Sequence, residues 1–248
     1  LEPLKTIGPR GYIHDIQDGA RRVVGFGDAE FLVKEAPRRE VVALIVANHY
    51  SHRAVNNAYI HLGVYHRGAL VGALQLGYAM NPASARNIVA GTCNRGYLEL
   101  NRMWLSDAVP RNGESMAIAY AVKYIRAAHP AVDWIQSFAD ERCGLWGVVY
   151  QACNFVYCGF HRSTFYELDG VWYHKILATS VTRQGGRGAH LRENLHRASR
   201  HVFRQFRYVL FLKRSARRRL LLPIHPYPKP DRDGNGALVG TSLMGIAA

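Results

Sequence analysis

Long apolar runs, paired cysteines and acidic residues are what this sequence has least of. No run of about 18 apolar residues occurs, so no segment reads as a membrane-spanning helix. The opening residues, LEPLKTIGPRGYIHD, lack the apolar centre of a secretory signal, and a chain that starts at Leu1 is expected to have lost its natural start. Cys93, Cys143, Cys153 and Cys158 form no CxxC pair and no regular framework, which reads as reduced thiols in a cytoplasmic protein. Cys153 and Cys158 lie close enough for a metal pair, or are small core residues near a helix end. Hydrophobic residues make up 48% of the 248 positions, which excludes global disorder and provides for one sizeable domain with an appendage, or two small domains.

Acidic residues number 18 against 32 Lys and Arg, a net charge of +14, and the excess is concentrated in one place. Residues 183–219 hold twelve Lys and Arg against Glu193 alone, so this stretch carries +11 and the rest of the chain only +3. A bias of that kind implies a polyanionic partner, either nucleic acid or an anionic membrane surface.

Along the chain, residues 1–36 read as an N-terminal segment, rich in Gly and turn residues, that forms a short hairpin or an arm. REVVALIVANHYSHR has apolar residues at helical spacing, followed by a polar cluster. HLGVYHRGALVGALQLGYAM is two apolar runs split at Arg67-Gly68, the pattern of a β-hairpin, and NPASARNIVAGTCNRG reads as loop. YLELNRMWLSD alternates as a strand; PRNGESMAIAYAVKYIRAAHP predicts a helix that stops before Pro130. VDWIQSFADE predicts a second strand, CGLWGVVYQAC a short helix, and GFHRSTFYELDGVWYHKILA a hairpin closed at Asp169-Gly170. RQGGRG reads as a flexible joint. Beyond it Arg197, Arg200, Arg204 and Arg207, at spacings of three and four, predict one face of a helix, with Phe203, Phe206 and Leu210 on another. PIHPYPKPDRDGNGALVG is too dense in Pro and Gly for regular structure.

The order hairpin, strand, helix, strand, helix, hairpin resembles the GNAT acyltransferases: a mixed α/β sheet whose two central parallel strands splay apart. A basic C-terminal helical extension would be added to it. In that family the helix after the first splayed strand presents its N-terminus to the donor, where free N–H groups bind anions, behind a [Q/R]-x-x-G-x-[G/A] loop. The nearest match here is Asn112-Gly113-x-Ser115-x-Ala117, with Asn and Ser in place of Gln/Arg and Gly, so ordinary acetyl-coenzyme A binding is not expected. Within that fold, ELNRMWLSDAVPRNGESMAIAYAVKYI, WIQSFADERCGLWGVVYQACNFVYCGFH, YELDGVWYHK and NHYSHR closely resemble the Mom family of phage DNA-modification proteins, from about Val42 to Lys175. The resemblance implies a phage-encoded enzyme, acting in the bacterial cytoplasm, that converts adenine in duplex DNA to N6-carbamoylmethyladenine and protects against restriction. With the basic region starting at RQGGRG, the chain reads as an N-terminal segment at 1–36, a catalytic domain at 37–182 and a nucleic-acid-binding extension at 183–248.

That product adds two carbons, an oxygen and a nitrogen to adenine, all of which a glycyl group contains. Glycyl-tRNA is therefore the expected donor, with acetyl-coenzyme A as the alternative. The chemistry needs a base for a weakly nucleophilic amine and donors for an oxyanion. Asp140, at the end of WIQSFAD, is the candidate base, or it caps the next helix. Arg102 binds a phosphate or carbonyl, or pairs with Glu99 or Asp107. Ser115 contacts the donor phosphate or caps its helix. His49 and His52 at i, i+3 bind phosphate, or share a helix face that, with Tyr50 and Asp140, holds Fe(II) or another divalent metal. Tyr65, Tyr78 and Tyr150 stack on a base, act as acids, or fill the core. Arg197, Arg200, Arg204, Arg207, Arg217, Arg218 and Arg219 grip the phosphates beside a flipped base, on DNA, tRNA or both. A homodimer is left open, and no membrane partner is expected.

Overall fold

The computed structural model describes residues 5–7, 11–15, 21–144, 146–179 and 186–229. The strands are β1 (Lys5–Ile7), β2 (Gly11–Asp15), β3 (Arg21–Gly27), β4 (Phe31–Glu35), β5 (Ala58–His66), β6 (Ala69–Gly77), β7 (Tyr97–Leu105), β8 (Trp134–Asp140), β9 (Val156–Leu168), β10 (Val171–His174) and β11 (Ser199–Phe211). They form one sheet in the order β1-β2-β3-β4-β5-β6-β7-β8-β11-β9-β10. The helices are α1 (Arg38–Asn48), α2 (Gly113–Ala128), α3 (Val148–Ala152), α4 (Ile176–Thr179), α5 (Gly186–Glu193) and α6 (Arg214–Arg218). One sheet thus draws strands from all three segments into which the sequence was divided.

Every strand pair is antiparallel except β7 and β8, which run parallel. Their pairing covers only Tyr97↔Trp134 to Glu99↔Gln136, after which the two strands part. This is the splay the sequence led us to expect. The two hairpin turns also fall where their residues put them. Arg67 and Gly68 both have positive φ (50° and 83°), as do Asp169 and Gly170 (52° and 73°), the conformation a two-residue hairpin loop demands.

The sheet's two faces differ in kind. On one, Leu74, Leu76, Leu98, Leu100, Ile135, Ala139, Phe206 and Tyr208 pack against Ala117, Ile118, Ala121 and Ile125 of α2. The other is covered at β6 and β7 by α1, through Val41 and Ile45 against Ala73 and Trp104. A second apolar patch (Tyr97, Trp134, Val89, Val209, Ala216) closes one end of the α1 face. Between these patches the α1 face is polar, because Glu99, Arg102, Gln136, Asp140, Gln205 and Arg207 alternate with the apolar positions along their strands.

One expectation is overturned. The arginines at spacings of three and four do not share a helix, since Arg200, Arg204 and Arg207 lie in β11, which pairs with β8 on one side and β9 on the other. The physical reason is burial. Phe203, Phe206, Tyr208 and Val209 are enclosed on the two faces of a central strand, and that packing overrides the helical spacing of the charges. Among the described residues of the basic region the helical pieces are α5, a 3-10 turn at Leu195–Arg197 and α6, and of the RQGGRG joint, residues 183–185 lie outside the described residues while 186–188 open α5. The Pro- and Gly-rich tail has no strand or helix over 223–229; its remainder, from 230 on, also lies outside them.

Candidate active site

Helix α1 stops at Asn48, and His49 is already extended (φ −72°, ψ 137°). The following loop crosses the polar part of the α1 face and is tied to β7 by Arg102, whose Nε donates to the Arg53 carbonyl at 3.2 Å and whose Nη1 donates to the Asn101 carbonyl at 2.6 Å. Arg102 therefore makes no ion pair with Glu99 or Asp107, and its Nη2 has no protein acceptor among the described residues. His49 and His52 do not share a helix face, because the helix ends before both and His52 has φ 48°.

Asp140 ends β8 and is 4% exposed. It does cap the 3-10 turn that follows, accepting the Arg142 backbone N–H at 3.0 Å. It also holds the Arg142 side chain, with Nε at 3.1 Å from Oδ1 and 3.0 Å from Oδ2, and Nη2 at 2.5 Å from Oδ2. The Tyr50 hydroxyl donates to Oδ2 at 3.5 Å. Arg142 lies against the Phe165 ring, 3.7 Å from its centroid, and within 6.0 Å of the Tyr50 and Trp172 rings. Burial alone would lower its guanidinium, but the bonds and charge of Asp140 carry it above the ordinary value. Burial and the neighbouring Asp140 carboxylate likewise hold the Tyr50 phenol well above its ordinary range.

His49 lies with its ring 4.2 Å from that of Tyr50. Its Nδ1 accepts the Ser51 backbone N–H at 3.1 Å, which fixes the neutral ring as the Nε2–H tautomer. Burial, then the charge of Arg102, pushes its pKa down to about 3. The site therefore offers a neutral imidazole N–H donor, a protonated phenol and a carboxylate clamped by arginine.

The same face carries a second polar layer. Glu99 accepts from Asn101 Nδ2 at 3.1 Å and Gln136 Nε2 at 2.8 Å, and Arg207 Nη1 donates to Gln136 Oε1 at 2.6 Å. Burial raises the Glu99 carboxyl above its usual range. His174 and His161 complete the wall, both lowered first by burial and then by the charges of Arg142 and Arg207 respectively. Arg53 is lowered by burial and by the nearby Arg187 of α5, a third guanidinium on the Arg102 side.

Of the expected residues, Tyr50, His49, Asp140 and Arg102 converge. As a metal centre the set fits poorly. Among the described residues no group of three or more His, Cys, Asp and Glu is placed for a metal ion, Arg142 occupies both Asp140 oxygens, and Nδ1 of His49 is turned to Ser51. Asn112, Gly113, Ser115 and Ala117 open α2, with Asn112 left-handed (φ 66°). There Ser115 Oγ donates inward to the Asn112 carbonyl at 2.9 Å, and in the cleft between the splayed strands Ser137 Oγ bonds the Leu100 carbonyl at 3.1 Å. Both serine hydroxyls are thus bonded to the protein's own carbonyls.

The tyrosines divide: Tyr150 packs in the core against Phe155 and Tyr208, Tyr78 lies between Tyr59 and Tyr97, and Tyr65 sits under Lys34. Cys153 bonds the Ser115 carbonyl, and Cys158 is core. The basic residues divide too. Arg197 pairs with Asp169, Arg204 with Glu141, and Arg219 with Asp133 and the Ala90 carbonyl. Arg200, Arg217 and Arg218 are exposed. Arg142, Arg53, Glu99, Gln205 and Arg207 were not singled out for this site from the sequence. The signal available for Arg142 was its place two residues after Asp140; for β11 it was the alternation of buried and open positions, masked by the arginines.

The profile of the Mom protein family matches residues 30–229. The chain is 54% identical over 211 residues to the methylcarbamoylase Mom of Escherichia phage Mu, covering 84% of this chain and 88% of that protein. Among solved structures it is similar to a GNAT-family acetyltransferase from Streptococcus pneumoniae, with 13% identity and a TM-score of 0.43 over 74% of this chain and all of that one. It is also similar to the ribosomal-protein-S5-alanine acetyltransferase of Vibrio fischeri, with 9% identity and a TM-score of 0.47 over 77% of this chain and 98% of that one.

Proposed function

Because this chain belongs to the Mom protein family, we propose that it is a transferase that converts adenine in duplex DNA to N6-carbamoylmethyladenine, shielding phage DNA from restriction in the bacterial cytoplasm. The observation that carries this reading is the family match, whose span of residues 30–229 includes every side chain of the polar cluster. The cluster suits the chemistry: it combines a carboxylate, a neutral N–H donor and a guanidinium nitrogen without an acceptor among the described residues, all on one sheet face.

The donor is glycyl-tRNA. Adenine N6 attacks the glycyl ester carbonyl, the new N–C bond forms, the ester C–O bond breaks, and the tRNA hydroxyl leaves with the proton. The freed glycyl amine then attacks C6. The C6–N6 bond breaks, and the former N6 becomes the carboxamide nitrogen, so the second step is an isomerisation that consumes nothing. Asp140 is the base for N6, with Tyr50 beside it. His49 Nε2–H and Arg102 stabilise the oxyanion. The start of α2, at Asn112, Gly113, Ser115 and Ala117, lies on the donor side. Taking the N6 proton needs Arg142 to release one Asp140 oxygen, as binding Fe(II) or another divalent cation would, and no step is routed through a metal. A flipped adenine reaches the α1 face, with the exposed Arg217 and Arg218 on the phosphates and the half-buried Arg207 and Arg219 holding the surface beneath them, while Arg200 and Arg204 project from the opposite face of β11 and Arg197 pairs with Asp169 in the open.

The test is purified protein with duplex DNA and glycyl-tRNA, the nucleosides then read by mass spectrometry. Deoxyadenosine should gain the mass of one glycine residue. Product with acetyl-coenzyme A and none with glycyl-tRNA would sink the donor assignment.

A further inference from the structure

Strands β8, β11 and β9 lie side by side, and their registers pair Asp140 with Gln205 and Gln205 with His161. Residues directly opposite in antiparallel strands point to the same face, so these three side chains form one polar row on the α1 face. On one side the row is bordered by Phe138, which carries the Arg207 guanidinium 4.7 Å from its centroid and meets the His161 ring edge-on at 5.3 Å. On the other side stand Phe203 and Phe165, with Arg142 on the latter.

Within the row Gln205 stands apart. Asp140 is bonded by Arg142 and Tyr50, whereas the Gln205 carboxamide makes no hydrogen bond among the described residues and its Nε2 is enclosed without an acceptor there. Four residues along the same strand and on the same face, His201 Nε2 is enclosed and has no partner among the described residues either, its ring 5.0 Å from Trp172 and 5.9 Å from Phe203. Buried polar atoms in native proteins are nearly always bonded, and an apolar residue of similar volume would fill the place without the penalty. An unpaired amide donor beside the candidate base is therefore explained by a partner that arrives with the substrate.

We propose that Gln205 reads the target base. Its Nε2–H donates to a ring nitrogen of the extruded purine, and its Oε1 accepts from the adjacent exocyclic amine. A carboxamide is the side chain whose donor and acceptor match that pair of atoms on adenine, while guanine and thymine place a carbonyl where the amine should be. The aromatic border of Phe138, Phe203 and Trp172 supplies the walls a flipped base needs. Held this way, the amine lies next to Asp140. The assignment rests on the adenine reading above and adds a specificity residue to it.

The experiment compares the wild type, Gln205→Leu and Gln205→Glu on duplexes with adenine, 7-deazaadenine or 1-deazaadenine at the target position, with glycyl-tRNA as donor. Unfolding midpoints establish that each variant is folded. Gln205→Leu should lower kcat/KM on adenine by about 10- to 100-fold. One deaza analogue should cost the wild type a similar factor yet cost Gln205→Leu nothing further, because the bond it removes is already gone. Gln205→Glu, which keeps the shape and loses the donor, should behave like Gln205→Leu. The proposal is overturned if Gln205→Leu matches the wild type, or if it is impaired but keeps the full deaza penalty. A wild type inert on every duplex would instead overturn the adenine reading, and the proposal with it.

Discussion

The Arg142–Asp140 pair lends itself to the sharpest perturbation. Arg142 is 9% exposed and Asp140 4%, so replacing Arg142 by Met leaves a carboxylate enclosed without its cation. Removing one partner of a buried pair costs about 3–5 kcal/mol. The Arg142 backbone N–H and the Tyr50 hydroxyl still bond the carboxylate, which places the expected loss near the lower end, about 3 kcal/mol. For a chain of this size that corresponds to a fall of roughly 6–12 °C in Tm. Thermal and urea unfolding followed by circular dichroism reads it, with an unchanged urea slope showing that the unfolded state is not what moved. Asp140→Asn should destabilise as well, since it strands the guanidinium against Phe165. The double variant should lose less than the two singles together, by about 1–3 kcal/mol. A loss below about 1 kcal/mol for Arg142→Met, or strict additivity in the double variant, would refute the reasoning that the pair is buried and mutually dependent.

Three further outcomes are expected. His49, with its pKa lowered to about 3 in the fold from an unfolded value of 6.5, takes up its proton more readily when unfolded. Stability should therefore rise with pH between about 3 and 6.5 and draw nothing more from this group above that; His49→Asn should flatten the slope by on the order of 4 kcal/mol across the window, as pH-dependent urea titrations would show. Gly147 has φ 74°, and a Cβ there would stand 2.3 Å from the Tyr208 ring, so Gly147→Ala should cost on the order of 3 kcal/mol in the same unfolding assay. Arg217→Ala and Arg218→Ala should leave Tm unchanged and each lower the salt slope of DNA binding by about 1, whereas Arg219→Ala, which loses Asp133 and the Ala90 carbonyl, should lower Tm; equal effects of all three would contradict the division.

The elements around the splay were legible because their signals are local. Arg67-Gly68 and Asp169-Gly170 fix hairpins through backbone conformation alone, and α2 carries an unbroken helical period that ends at His129. Strand β11 was not legible. Its arginines alternate with Phe and Tyr that become buried only when β8 and β9 close on either side, a long-range event that no window of the sequence reports. The site divides the same way. Asp140 and Tyr50 could be named from family wording, while the partners that set their state could not. Arg142 folds back through a 3-10 turn, and Gln205 arrives from 65 residues further along the chain. His49 and His52 misled through spacing, because the helix that would have aligned them stops at Asn48.

The central claim is that the α1 face transfers a whole glycyl unit to adenine and rearranges it. Glycyl-tRNA charged with [15N]glycine, duplex DNA and the purified protein test it directly. Mass spectrometry of the released deoxyadenosine should show the label in the product, and fragmentation that strips the carboxamide should leave the 15N on the purine ring, because the glycine nitrogen has become the one bonded to C6. Label lost with the carboxamide, or an unlabelled modified base, would contradict the account.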